Sequence, residues 1–166
     1  EDVAVGEERL VRRGLDLEPQ MHGGSQERGR RPGSPNVEAL VGFGAAAGLV
    51  GERLAVQPEI AARRDRLAAW LVARGALENG ADGPRVATVS NVSFRGFGGE
   101  QLVAALDVEG LAAAAGAACS SGVVSRSSVL SAMYPDELWR AEHALRLSLG
   151  PETGDGDIDA AIPILD

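Results

Sequence analysis

The residue with the greatest capacity for chemistry is Cys119, the single cysteine of the chain. It lies in the segment GAACSSG, residues 116–122, where glycines on both sides give the backbone many accessible conformations. Such a backbone suits a thiol that must travel to a substrate. A free cysteine that follows several alanines is more often a small buried apolar residue, so residue types alone leave both interpretations open.

Other residues do not complete a metal site. His22 and His143 are the two histidines, and their spacing from Cys119 matches no common ligand pattern. Alternating aspartates within residues 155–159 resemble a calcium loop, but an EF-hand needs a glutamate at its twelfth position, which this segment lacks. We therefore predict an acidic helix start there, which the helix dipole favours, and a structural role for His143.

A long basic loop is predicted from Pro19 to Pro35. Its sequence, PQMHGGSQERGRRPGSP, combines glycines, prolines and charges without apolar periodicity and fits neither a Walker nor a Rossmann pattern. Arg28, Arg30 and Arg31 suit phosphate oxygens, as does a serine hydroxyl nearby, although an arginine run is ordinarily a solvated surface. Loops of this length tend to be functional or disordered.

Composition limits the possible partners and compartments. The net charge of −8 argues against a nucleic-acid surface, which needs clustered basic side chains. The sequence contains neither the roughly 20 apolar residues of a membrane span nor a secretory signal. With one cysteine, we expect a reducing, cytoplasmic location. All 16 basic residues are arginine, so no side chain here is a primary amine.

Apolar periodicity predicts two long helices. Asn36 is a suitable N-cap for a helix from about Val37 to Leu54. Pro58 opens the second helix, which should end near Gly80. In the second helix, Ile60, Leu67, Trp70 and Leu71 are expected to face inward, and three of its arginines to face water. In the isolated chain we also expect both helices to expose apolar surface. Shorter helical segments are expected at residues 100–106, 127–133, 137–141 and 157–165.

Strands are predicted at Glu8–Arg13, Arg85–Phe94 and His143–Leu149, from their apolar and β-branched content. Leu111–Ala118 is ambiguous, because alanine favours helix whereas the approach to a Ser-Ser-Gly turn favours strand. Strands that alternate with helices indicate an α/β or α+β unit. No linker or repeat divides the chain into independent domains.

Four segments together resemble the cysteine desulfurases of the class-V aminotransferase family, which supply sulfur for iron–sulfur clusters. They are MHGGSQERGRRPGSPN at residues 21–36, SNVSF at 90–94, GAACSSG at 116–122 and LRLSLG at 145–150. Each is weak by itself, but their order and spacing match the family over nearly the whole chain.

The resemblance implies an α/β fold, the C-terminal part of a type I pyridoxal-phosphate-dependent transferase. Residues 1 to about 54 would end the large domain, and about 55–166 would form the small α+β domain. The family's cofactor-anchoring lysine, with the histidine and aspartate that contact the cofactor ring, would lie upstream of Glu1. We therefore expect a C-terminal fragment that is inactive by itself.

The resemblance also assigns roles by position. Cys119 matches the nucleophile that takes sulfur from cofactor-bound cysteine and becomes a persulfide, and Arg146 matches the arginine that binds the substrate carboxylate. Ser34 stands where the family usually has threonine, whose hydroxyl reaches the phosphate of pyridoxal phosphate in the other subunit. L-cysteine, a homodimer and a sulfur-acceptor or iron–sulfur scaffold protein are thereby implied, without nucleic acid, membrane or metal.

Departures from the family pattern keep alternatives open. Ser25 replaces a common glycine, and Ser125-Arg126 stands where Glu-Pro often follows the cysteine loop, which bears on docking to a scaffold partner. A selenocysteine lyase, another class-V aminotransferase-like enzyme and a cofactor-free module that dimerises or binds a partner remain alternatives. The sequence does not identify the group that activates the thiol of Cys119.

Overall fold

The computed structural model describes residues 14, 18–19, 21–116 and 126–166. The predicted strand Glu8–Arg13, Cys119 and the last two residues of the segment Leu111–Ala118 lie outside them. The chain contains two compact units, Glu1–Glu52 and Arg53–Asp166. The assignment of about 1–54 and 55–166 to a large and a small domain stays a prediction.

The basic loop of the first unit is stabilised by one of its own arginines. Nη1 of Arg31 donates to the carbonyl oxygens of Gly33, at 3.0 Å, and Ser34, at 2.9 Å. The loop also contains a short 3-10 helix, Gln26–Gly29, which the sequence did not predict. Its backbone therefore has local order despite the lack of apolar periodicity.

The first predicted long helix forms as two, α1 (Val37–Gly48) and α2 (Val50–Ala55). Asn36 is the N-cap, as predicted: its Oδ1 accepts a hydrogen bond from the N–H of Ala39 at 2.9 Å. Neither helix contains a buried residue, and the expectation of exposed apolar side chains is confirmed here.

Helix α3 (Gln57–Ala73) begins at the predicted Pro58 but ends earlier than predicted. Gly75 has a φ of +93°, a left-handed conformation that glycine adopts easily and that ends helices. The prediction of an end near Gly80 is therefore wrong. Strand β1 (Leu77–Glu78) was not predicted because it lies within the region assigned to that helix. On α3, Ile60, Leu67 and Leu71 are buried, which confirms that they face inward, whereas Val72 is exposed.

No single helix among the described residues is long and apolar enough to cross a membrane. Taken together, the bent pair Val37–Ala55 and Gln57–Ala73 meets the criteria of length and composition.

The second unit is built on an antiparallel sheet in the order β1, β2 (Val89–Ser93), β3 (Ala144–Ser148). Both β2 and β3 lie within predicted strands, whose ends extend beyond the ladder. The pairing places Asn91 opposite Arg146 and Val92 opposite Leu145. In the ambiguous segment, Ala114 forms an isolated antiparallel bridge with Arg146, so its described part is extended rather than helical.

Alternation along the strands gives the sheet two chemically different faces. Val92 and Leu145 point to one face and are almost fully buried, at 0% and 1% exposure, in the main apolar core with α3. The opposite face carries Asn91, Ser93 and Arg146.

Helices α4, α5, α6 and α7 begin and end within one or two residues of the predicted segments. They span Gly99–Val108, Ser128–Met133, Trp139–Glu142 and Asp155–Ile164.

Helix α7 is joined to α3 by arginine–aspartate pairs on the surface. Arg63 Nε lies 3.4 Å from Asp155, and Arg66 pairs with Asp159. Asp155 is in the first turn of α7, as predicted for an acidic helix start. Because the aspartate side chains are 68% and 62% exposed, each pair contributes at most about 1 kcal/mol, and burial of Ile158 on the same helix contributes more.

The contact of α4 with β3 depends on the absence of a side chain at Gly99. An added Cβ would collide with the carbonyl oxygen of Ala144. We expect Gly99→Ala to lower the free energy of unfolding by about 1–3 kcal/mol, measured by denaturant unfolding. Gly156→Ala is the matched control, because its Cβ would meet open space within a helix; it should leave stability unchanged or slightly higher. Equal effects would refute the packing argument.

Candidate functional site

A pocket of about 340 Å³ lies on the polar face of the sheet in the second unit. Its lining combines polar groups from the sheet with apolar side chains from α5. The lining residues are Asn79, Asn91, Gly116, Ser127, Val129, Leu130, Met133 and Arg146. The predicted substrate-binding residue Arg146 is therefore part of a concave site.

Arg146 has no counter-ion among the residues that the structure describes. Its backbone is fixed on β3, where its N–H donates to Ala114 O at 2.7 Å and its carbonyl accepts from Ala114 N–H at 3.0 Å. Its Nε atom is buried without a hydrogen-bond partner, and Arg146 makes no ion pair within residues 21–116 and 126–166. A buried guanidinium donor without a partner is costly, so the pocket favours an anionic ligand.

The pocket wall beside Arg146 is a chain of side-chain amides that sequence reasoning missed. Asn79 Nδ2 donates to Asn91 Oδ1 at 2.7 Å and to Ser93 Oγ at 2.8 Å. Ser93 Oγ in turn donates to the carbonyl oxygen of Arg140 at 2.9 Å. Polar residues at alternate positions of a predicted strand were the available signal, but Asn79 lay in a segment predicted to be the end of a helix.

Arg140 connects this series of hydrogen-bonded side chains to α5 and α6. Its Nη1 lies 3.4 Å from Asn79 Oδ1, and its Nη2 pairs with Glu137 at 2.9 Å. The guanidinium also stacks on the ring of Tyr134, 4.2 Å from its centroid, and the Tyr134 hydroxyl accepts from the N–H of Gly80 at 2.7 Å. The position of the amide wall is therefore fixed by its contact with a cluster formed by Arg140, Glu137 and Tyr134.

Described residues on either side of the cysteine segment line this pocket. Gly116 and Ser127, which flank residues 117–126, line it. Ser127 also caps α5, since its Oγ accepts from Leu130 N–H at 3.3 Å, and this fixes where the segment ends. Cys119 itself lies outside the described residues, so its catalytic role stays a prediction.

The remaining candidate residues lie elsewhere. Ser34 belongs to the first unit and is exposed. Its contact with the cofactor phosphate stays a prediction. His143 Nδ1 lies 2.7 Å from Phe97 O, and its ring tilts against Trp139, consistent with the predicted structural role. Among the described residues, no group of three or more histidines, cysteines or acidic side chains is placed to hold a metal ion.

Comparison with known proteins establishes the family. The family model for aminotransferase class-V matches residues 17–161. This chain belongs to the class-V aminotransferase family, as its motifs predicted. The curated relatives it matches include a cysteine desulfurase of Bradyrhizobium diazoefficiens and an IscS-like cysteine desulfurase of Mycobacterium tuberculosis, each 40% identical over 156 and 163 residues.

The matches cover most of this chain but a minor part of each relative. They span 92% and 94% of the chain, and only 39% and 40% of the two relatives. A NifS-like protein of known structure matches 93% of the chain with a TM-score of 0.73 and 27% identity, again over 40% of its own length. DndA from Streptomyces lividans matches 81% with a TM-score of 0.56 and 31% identity. The predicted fold class is confirmed.

Ser93 tests whether the hydrogen-bonded wall stabilises the unit. We expect Ser93→Ala to lower the free energy of unfolding by about 1–3 kcal/mol, because it removes a buried acceptor from Asn79 and a buried donor to Arg140 O. Ser148→Ala, at an exposed position of β3, is the matched control and should change stability by less than about 0.5 kcal/mol. Denaturant unfolding that gives both variants the same midpoint would show that the network contributes nothing.

Proposed function

We propose that the protein containing this chain is a cysteine desulfurase. It converts L-cysteine to L-alanine and transfers the sulfur to Cys119, which becomes a persulfide for iron–sulfur cluster or thio-cofactor assembly. The observation that carries the proposal is Arg146, which has no ion-pair partner among the described residues, in a pocket that Gly116 and Ser127 also line. The similarity to named cysteine desulfurases supports the same activity.

Arg146 is proposed to bind the carboxylate of the substrate. Its rigid position on β3 presents a planar fork of donors, which suits two carboxylate oxygens at once. The apolar side chains of Val129, Leu130 and Met133 reduce competition from water at the same site. A carboxylate would thereby supply the counter-ion that Arg146 lacks within the described residues.

Cys119 is proposed to accept the sulfur. It follows Gly116 by three residues, so chain connectivity keeps their Cα atoms within about 11 Å of each other. In the net reaction the thiolate of Cys119 forms a bond to the substrate sulfur, the substrate carbon–sulfur bond breaks with its electron pair on carbon, and that carbon gains a proton. The products are L-alanine and one persulfide, without a separate oxidant.

The chain does not by itself fit the anchor of pyridoxal phosphate, the cofactor on which the family depends. All 16 of its basic residues are arginine, so it has no side-chain amine for the imine. We assign no step through the cofactor to this chain. Ser34 is proposed to contact the cofactor phosphate, since its exposed hydroxyl makes no hydrogen bond within the described residues and Arg31 fixes its carbonyl.

The partners follow from the proposed activity. L-cysteine is the proposed substrate, and a sulfur-acceptor or iron–sulfur scaffold protein is the proposed recipient of the persulfide. A homodimer would let Ser34 reach the cofactor of the other subunit. These partners and a cytoplasmic location remain predictions.

Replacement of the nucleophile is the direct test. In the full-length, cofactor-loaded protein, Cys119→Ser should abolish sulfide and alanine release from L-cysteine in the presence of a reductant, because serine is a poor acceptor of sulfur. Mass spectrometry of the wild type fed with L-cysteine should find one additional sulfur atom on Cys119. Cofactor absorbance and thermal unfolding of the variant should be unchanged. Undiminished sulfide release would indicate a different lyase mechanism.

Removal of the proposed carboxylate-binding cation should weaken substrate binding. We expect Arg146→Gln to raise KM for L-cysteine by roughly tenfold or more, as expected for a lost hydrogen bond to a charged group, and Arg146→Lys to give a smaller increase. Arg53→Gln is the matched control, because Arg53 is exposed on α2 and should leave KM unchanged. Steady-state kinetics of the full-length protein in which Arg146→Gln behaves like Arg53→Gln would exclude the assigned role.

A further inference from the structure

Asn91 is the polar group directly across the sheet from Arg146. The two residues are register partners on β2 and β3, and both line the pocket. The Cβ atoms of paired residues on neighbouring antiparallel strands are about 5 Å apart, so one small ligand group can contact both side chains. The polarity that Asn91 presents to the pocket therefore affects which ligand the pocket accepts.

The hydrogen-bond chain fixes that polarity. A guanidinium can only donate, so Arg140 Nη1 requires Oδ1 of Asn79 as its acceptor. The other end of the Asn79 amide, Nδ2, must then donate to Asn91 Oδ1 and Ser93 Oγ. The reverse orientation of Asn79 would set its NH₂ group against the guanidinium.

The same matching of donors to acceptors determines the orientation of the Asn91 amide, the last amide in this series of hydrogen bonds. With Oδ1 of Asn91 already accepting from Asn79, the free end of Asn91 is Nδ2, which makes no hydrogen bond within the described residues. Among the described residues, the pocket therefore has two sets of donors without an acceptor, one on Arg146 and one on Asn91.

We propose that Asn91 Nδ2 is a second donor to the carboxylate of the substrate, and that Asn79 is the positioning residue that keeps this donor facing the pocket. The proposal rests on the proposed function for the identity of the substrate. It adds a specificity determinant: a donor pair on β2 and β3 accepts amino acids and rejects amines that lack the carboxylate.

The test compares two ligands that differ only in the carboxylate. L-alanine and ethylamine are titrated into the full-length, cofactor-loaded protein, and the absorbance change of the cofactor gives a dissociation constant for each. The ratio of the two constants measures carboxylate recognition and requires no sulfur chemistry. Sulfide release from L-cysteine is measured on the same preparations.

Two variants of Asn91 change the donor in different ways. Asn91→Leu removes it and should reduce the preference for L-alanine by roughly tenfold or more. Asn91→Asp has nearly the same shape but places a carboxylate against the ligand's carboxylate, and should reduce the preference further. The second variant also serves if leucine prevents folding. Gln101→Leu, which removes an exposed amide on α4, is the matched control and should leave the ratio unchanged.

Asn79→Asp tests the positioning step. Aspartate still accepts from Arg140 but cannot donate, so Asn91 should rotate to donate to it and turn its own oxygen toward the pocket. Preference for L-alanine should fall about as far as in Asn91→Leu, while the constant for ethylamine stays within about twofold of wild type. A structural defect alone would weaken both ligands equally.

Failure of the inference and failure of the proposed function give different results. Unchanged ratios in both Asn91 variants, or a wild type that does not distinguish L-alanine from ethylamine, would overturn the inference whether or not L-cysteine is desulfurated. A reduced ratio in the variants, with no sulfide released by wild type, would support the Asn91 assignment and refute the proposed desulfurase activity.

Discussion

The register of β2 against β3 is the constraint on which the second unit depends. It places Val92 opposite Leu145 on the buried face and Asn91 opposite Arg146 on the pocket face. Because side chains alternate, a slip of one residue would bury the polar set and expose the apolar one. The energy that fixes the apolar core therefore also fixes the geometry of the candidate site.

The pocket face contains a buried polar atom that lowers the stability of the fold, and this loss of stability indicates a ligand. A buried Nε of Arg146 without a partner destabilises the fold by about 1–3 kcal/mol. None of the ion pairs among the described residues includes Arg146. The arrangement leaves donors available where a carboxylate would satisfy them.

Much of the fold follows from local sequence. The Asn36 cap, the Pro58 helix start, the two longer strands and the acidic start of α7 were predicted because each depends on residues close in the chain. The errors lie where a single backbone conformation decides: Gly75 ended α3 early, and β1 is too short for a periodic signal. The family and the candidate role of Arg146 were predicted from the order of the motifs, which can be read from a single sequence.

The sequence by itself determined the family, the position of the candidate thiol and the lack of any lysine, because these depend only on residue identity and order. Only the tertiary structure decided which polar residues meet. Asn79, Asn91 and Arg140 are distant in the chain, and their contacts arise from strand pairing and the packing of α6. Orientation of an amide depends on its donors and acceptors in space, which no spacing along the sequence specifies.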